Sequence, residues 1–189
     1  MNILFLKTLA MNPNTLTYHS PQQKDFTWEG GIMVAKCEKC APLGTIGIDC
    51  HCGIYGSPNP EALTEYAVHE TSFNALLQAY GRVDVWTAPD DLWYCYVLRV
   101  WAARVIGIVE TDGLDLLAPD ARGQAAITAA GYFNCGIYSI PMAKGMIDIT
   151  WKAHLNIEPY GAKLSDPWRN PIWNWQDPYG LWKPFEEKE

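Results

Sequence analysis

Residues 76–110 read LLQAYGRVDVW (76–86), TAPDD (87–91), LWYCYVLRVW (92–101), A (102) and ARVIGIVE (103–110), and 92–101 is the most β-prone run of the chain. Val83 and Val85 alternate with Arg82, Asp84 and Trp86, the period of a half-buried strand, and Pro89-Asp90-Asp91 has the chemistry of a turn. The runs 92–101 and 103–110 are rich in branched and aromatic residues. Three strands with short connections most simply form an antiparallel meander, so the spacing predicts a twisted sheet or partly open barrel at the centre of an α+β fold.

Upstream, 15–35 reads as extended pieces, one closed by Pro21, with Gly30-Gly31 supplying a hairpin-like reversal before Ile32 to Ala35. That last run feeds into Cys37-x-x-Cys40, followed by Cys50-x-Cys52. Two close thiol pairs across a short loop suit tetrahedral zinc, as in a zinc knuckle, and a complete four-thiolate sphere is structural because no position is left for water. His51 lies between two of these ligands and is a lesser candidate for the metal. Two disulfides are the competing reading, disfavoured if the chain works in a reducing compartment.

Between the cysteines and the sheet, Asn59-Pro60-Glu61 is a helix start, with Asn59 as N-cap and proline at the first helical position. The helix is expected to reach Glu70 and to bury Leu63, Tyr66 and Ala67. Downstream, Pro119-Asp120 leads into a helix over 121–130 with Gly131 as terminator. Ile147 to Trp151 alternates like another strand. Met11 is a lesser candidate for the start, which would make the first ten residues a dispensable extension. The echo of Cys52-Gly53-Ile54-Tyr55 in Cys135-Gly136-Ile137-Tyr138 is too short to count as an internal repeat.

Residues 159–189 differ from the rest: Trp168, Trp173, Trp175 and Trp182 are interleaved with Pro167, Pro171, Pro178 and Pro184. Proline at this density excludes regular helix and central strand, so an extended arm is expected. Its tryptophans should pack on the chain's own domain or on a partner protein, a second copy included. The expected organisation is one zinc-clipped domain over 1–158, with a metal-binding segment at 15–58 and helix and sheet at 59–158, followed by the arm.

Of the 189 residues, 49% are apolar and 19% charged, too hydrophobic for disorder. A net charge of −7 argues against non-specific binding to phosphate backbones. The densest basic pair, Lys36 and Lys39, sits inside the cysteine loop. No stretch approaches the ~20 apolar residues of a membrane span, and Lys7 interrupts the opening apolar run, so no secretory signal is expected.

The run Cys37-Glu-Lys-Cys40-Ala41-Pro42, with Asp49-Cys50-His51-Cys52-Gly53-Ile54-Tyr55-Gly56, resembles a family of uncharacterised proteins encoded by actinobacteria, their phages and mobile elements. The family's pattern is a cysteine, then His-x-Ala-Pro, then Cys-x-Cys-Gly-Ile-Tyr-Ala. Trp28-Glu-Gly30 is similar to its lead-in and Gly81 to Trp86 to one of its strands, a likeness spanning about 15–109. This chain has Cys40 where the family has an imidazole, an exchange between two zinc ligand types. Its spacer from Pro42 to Cys50 is longer, and Gly56 and Thr87 depart from the pattern. The resemblance implies a metal-binding segment and an origin in a phage or mobile element, hence a place in the host cytoplasm or the virion, and the family supplies no established activity.

For chemistry, Cys95 and Cys135 in apolar surroundings read as core thiols. Asp90, Asp91, Asp112 and Asp115 stand within two residues of proline or glycine and read as turn formers. A Cys/His site using His19, His69 or His154 is the enzymatic alternative. The expectation is a non-enzymatic binding or assembly protein with a structural Zn2+ and an aromatic arm. A nucleic-acid-binding regulator is the alternative, which would expose Trp86, Trp93 or Trp101 near Arg82, Arg99 and Arg104.

Overall fold

The computed structural model describes residues 3–21, 23–47, 50–58, 71–87, 96–110, 121–155 and 170–173. Among them lie β1 (Leu4–Asn12), β2 (Thr17–Ser20), β3 (Gln23–Trp28), β4 (Ile32–Val34), β5 (Ile54–Gly56), β6 (Ser72–Thr87), β7 (Tyr96–Glu110), α1 (Ala121–Tyr132), β8 (Gly136–Ser139), α2 (Ile140–Leu155) and β9 (Asn170–Trp173). The fold is α+β, built on a curled, open sheet in the form of a half-barrel. Its main order is β3-β2-β1-β6-β7-β4, with β5 and β8 also on β7 and β9 on β6. All pairings are antiparallel except β7 with β8.

The long pair β6–β7 makes the centre, and here the sequence expectation is corrected in one respect. The two runs 92–101 and 103–110 do not form two strands, because 96–110 is a single strand. The apparent break has a physical origin. Leu98 and Val100 are buried in one core and Ala103 and Val105 in the same core, whereas Trp101 and Ala102 both belong to the core on the other side. Alternation therefore slips by one residue at 101–102. Opposite this point the register shifts between Tyr80 and Val83, two residues of β6 facing one of β7, and a second shift falls at Leu76/Leu77. Such bulges bend and twist a strand pair without ending it, which curls the sheet.

β1 is a strand that the sequence reading did not assign. Rather than a dispensable extension, Leu4 to Ala10 pairs with β6 along seven residues. Phe5, Leu6 and Leu9 are fully buried, odd positions on one face and Leu4 and Leu6 on the other. A strand buried on both faces shows no alternation, so it reads as a plain apolar run. The curl carries Ser57, just past β5, back to β1, where it exchanges two backbone hydrogen bonds with Leu6 (2.7 and 2.8 Å).

Two helices cover the sheet on opposite faces. α1 lays Ala125, Ala126, Ala129 and Ala130 on the inner face against Phe5, Leu77 and Ala103, small residues on both sides allowing close approach. The helix does not stop at Gly131. Asn134 takes the left-handed conformation (φ 50°), while the Cys135 N–H reaches the Ala130 carbonyl (3.0 Å) and the Asn134 N–H that of Gly131 (3.2 Å), closing a Schellman cap. α2 packs Ala143 and Ile147 on the outer face with Leu4, Leu6, Leu76 and Val109. The expected strand at 147–151 is thus helix. Ile140, Ala143 and Ile147, at helical spacing, outweigh the local alternation that suggested a strand.

Gly30 and Gly31 reverse the chain as expected, with φ of 56° and 78° and a Glu29–Ile32 bridge. The expected helix at 59–70 lies outside the described residues. So does the arm except 170–173, whose backbone pairs with β6 at Val83–Val85, beyond the end of β1. β5 and β8 both lie on β7, one antiparallel and one parallel, so the echoed Cys-Gly-Ile-Tyr segments are not equivalent repeats. No helix among the described residues is long and apolar enough to cross a membrane.

Candidate metal centre

The cysteine segment covers the end of the outer face that α2 does not. The Ala35 N–H bonds the Trp101 carbonyl (2.8 Å), delivering the chain to Cys37 beside β7. The N–H groups of Cys40 and Ala41 then bond the Cys37 carbonyl (3.2 and 2.8 Å), making the tight turn that brings the first two thiols together. A 3-10 turn at Ala41–Leu43, closed by Gly44 at φ 59°, returns the chain. Ile46 packs with Cys40, Tyr80, Trp101 and Ala102 in a small core on which Cys37, Cys50 and Cys52 also rest.

All four are free thiols, and their sulfurs lie within 4.8 Å of one another. Cys37 and Cys50 are 3.5 Å apart, and Cys40 and Cys52 3.3 Å. A tetrahedron with metal–sulfur bonds of ~2.3 Å has edges of about 3.8 Å, so the cluster can hold a metal ion with little rearrangement. The Gly47 N–H points at the Cys40 sulfur (3.3 Å), a contact that stabilises thiolate. His51 is exposed and stands outside the four-sulfur group.

Electrostatics separates three of the thiols. Hydrogen bonds to Cys50, first from the Cys52 backbone N–H and then from the Cys52 and Cys37 thiols, hold it down to about 6. Burial pushes Cys40 and Cys52 upward, and for Cys52 the bond to Cys40 adds to this. Without a cation the cluster therefore ionises readily at Cys50 and resists ionisation at Cys40 and Cys52. A bound divalent ion removes that resistance, because it is the dominant local charge and its ligands must be deprotonated. Soft sulfur donors in this number suit zinc or iron and not calcium or magnesium.

One residue of this site was not picked out by its sequence pattern. Arg99, fully buried on β7, points from between Leu98 and Val100 to the outer face. One terminal nitrogen donates to the Cys50 carbonyl and to that of Cys52 (3.4 Å), the other to the Gly47 carbonyl (3.0 Å). Its stem passes Gly53, where a Cβ would lie 2.7 Å from the Arg99 Cγ and φ is +135°. The only hint in the sequence is a charge within an apolar strand run. Tyr55, opposite Arg99 in the register, donates its hydroxyl to the His51 carbonyl.

Of the residues named for a nucleic-acid face, Trp101 (3% exposed) and Arg99 (0%) are buried and cannot contribute. Arg104 is exposed, and the side chains of Trp86, Trp93 and Arg82 lie outside the described set. Lys36 and Lys39 are exposed neighbours of the loop, Lys36 over the Phe26 ring at 5.8 Å. Cys135 packs against the inner core, as expected of a core thiol. Cys95, His69, His154 and the four aspartates lie outside the residues whose side chains are described, as do the side chains of Trp168, Trp173, Trp175 and Trp182. Comparison of the chain with protein-family models, with curated proteins and with solved structures finds no match.

Proposed function

We propose that this chain is a non-enzymatic binding or assembly protein of a phage or mobile element, clipped by a structural Zn2+ at Cys37, Cys40, Cys50 and Cys52. The observation that carries this reading is the convergence of four free thiols within 4.8 Å, on a loop that covers part of the sheet. Four thiolates complete a tetrahedral sphere, so the ion organises the loop and activates no water. The origin in a phage or mobile element rests on the resemblance of the cysteine segment alone.

Binding is assigned to the arm at 159–189, with Trp168, Trp173, Trp175 and Trp182 as anchors, since aromatic anchors dominate many protein interfaces. The backbone pairing of 170–173 on β6 supports docking of part of the arm on its own sheet, leaving the remaining tryptophans for a partner or a second copy. The test is elemental analysis of the purified full-length chain together with its mass in solution. One zinc per chain supports the clip, and metal-free protein with unchanged stability overturns it. Alanine at the four tryptophans should abolish association at constant metal content, whereas unaltered association removes the arm from the proposal.

A further inference from the structure

We propose that Arg99 is the positioning residue of the metal centre: its guanidinium holds the backbone of the second thiol pair in register for the ion and supplies the cation that faces the filled, anionic site. The inference rests on the four-sulfur cluster being a metal site, as proposed above.

Arg99 is the one fully buried charged side chain among the described residues. A guanidinium keeps its charge when buried, so its surroundings must compensate it. Three carbonyls, those of Gly47, Cys50 and Cys52, accept from it, and the Tyr55 hydroxyl also lies in hydrogen-bonding contact with it. Two of the three belong to ligands themselves. The third belongs to the residue whose N–H points at the Cys40 sulfur, so the same fork reaches the first thiol pair through one residue. The planar geometry of arginine suits this task, because its donors leave in fixed directions and set the orientation of several peptide units together.

Beside the sulfur contacts and the Tyr55–His51 bond, Arg99 is the side chain that ties three carbonyls of this loop to β7. Cys50 and Cys52 are only half-buried, and the backbone bond between Cys50 and Gly47 is long (3.4 Å). β7, by contrast, is the best-anchored strand, paired with β6 on one edge and with β4, β5 and β8 on the other. Arg99 thus transfers the rigidity of the sheet to the metal loop. Gly53 leaves room for its stem, which links the glycine of the Cys-Gly-Ile-Tyr run to the ligand geometry. Four thiolates around a divalent ion carry a net charge of −2, and the guanidinium sits behind two of them. Outer partners of this kind govern metal affinity by ~10–100-fold.

The test uses the full chain with Co2+ as the probe, because sulfur-to-cobalt charge-transfer and ligand-field bands report both occupancy and geometry. Affinity is measured by competition with a chromophoric chelator for wild type, R99K, R99Q and V100A. R99K keeps the charge and gives up the fork, and R99Q keeps polar donors and gives up the charge. Expected are about tenfold weaker binding in R99K, weaker still in R99Q, and ligand-field bands shifted in both. V100A thins the core beside Arg99 without touching the loop carbonyls, so it should lower the melting temperature and leave affinity within threefold.

Wild-type affinity with unshifted bands in R99Q overturns the inference, and so does a loss in V100A equal to that in R99Q. If R99Q does not fold, R99K decides alone, and a loss under threefold overturns the proposal. Failure of wild type to take up cobalt or zinc is a separate result, which overturns the metal reading and this inference with it.

Discussion

α1 covers the inner face of the sheet with four buried alanines against a continuous apolar core, while the segment from Ala35 to Gly53 covers one end of the outer face with Cys40 and Ile46 as the fully buried apolar side chains among its described residues. The helix satisfies its own backbone and is held by packing along its length. The cysteine segment has one short 3-10 turn and borrows its order from the sulfur cluster, Arg99 and the edge of β7. A helical cover can therefore lose a side chain and persist, whereas the loop depends on a few specific groups. Regions with few buried apolar contacts open first.

The largest expected effect breaks the loop and spares the helix. Cys40→Ser should remove the bound ion and lower stability by about 4 kcal/mol at ion concentrations ~1,000-fold above the dissociation constant, read as a melting temperature lower by about 10 °C. Amide exchange in the same variant should accelerate over 35–56 and stay slow in α1. Leu77→Ala strikes the other cover: a cost of about 3 kcal/mol in urea unfolding, with metal content unchanged.

Gly53→Ala sharpens the contrast further. Its strained φ and the clash with the Arg99 stem should cost about 2 kcal/mol and weaken metal binding, measured together by calorimetry and chelator competition. A fourth test concerns Lys7, whose ammonium donates to the Tyr55 carbonyl (2.9 Å) and so ties β1 to β5. Burial brings Lys7 down to about 8 from 10.5. Between those values the folded chain has released a proton that the unfolded chain retains, so stability should rise from pH 8 to 10.5. Comparison with Lys7→Met isolates this contribution, and parallel pH profiles would refute it. The smallest effect is a gain: Gly131→Ala, exposed inside α1 with open space around the new methyl, should stabilise by about 0.5–1 kcal/mol in thermal melts.

Much of the site was legible because metal ligation writes itself in local spacing. Cys37 and Cys40 share one turn, and Cys50 and Cys52 flank one residue, so each thiol pair is defined by a few bonds of chain. Arg99 was not legible, because its three acceptors lie 47 to 52 residues away in sequence and are backbone atoms, which leave no side-chain signature. The same distinction runs through the fold. The helix at 121–132 and the hairpin at Gly30-Gly31 follow from local pattern and turn chemistry. The identity of 96–110 as one bent strand does not, since the slip in alternation at Trp101–Ala102 acquires meaning only from the bulge at 81–82 on its neighbour.

By itself, then, the sequence determined the α+β class, the strand-rich centre, the thiol pairs and the compositional break at the arm, because each depends on residues close together along the chain. Tertiary structure alone decided that the first strand is buried between β2 and β6, that 147–151 is helix, and that an arginine stands behind the cysteines. Those outcomes depend on which distant surfaces meet: a strand covered on both faces loses its period, and a buried charge is tolerated only where the fold brings acceptors to it.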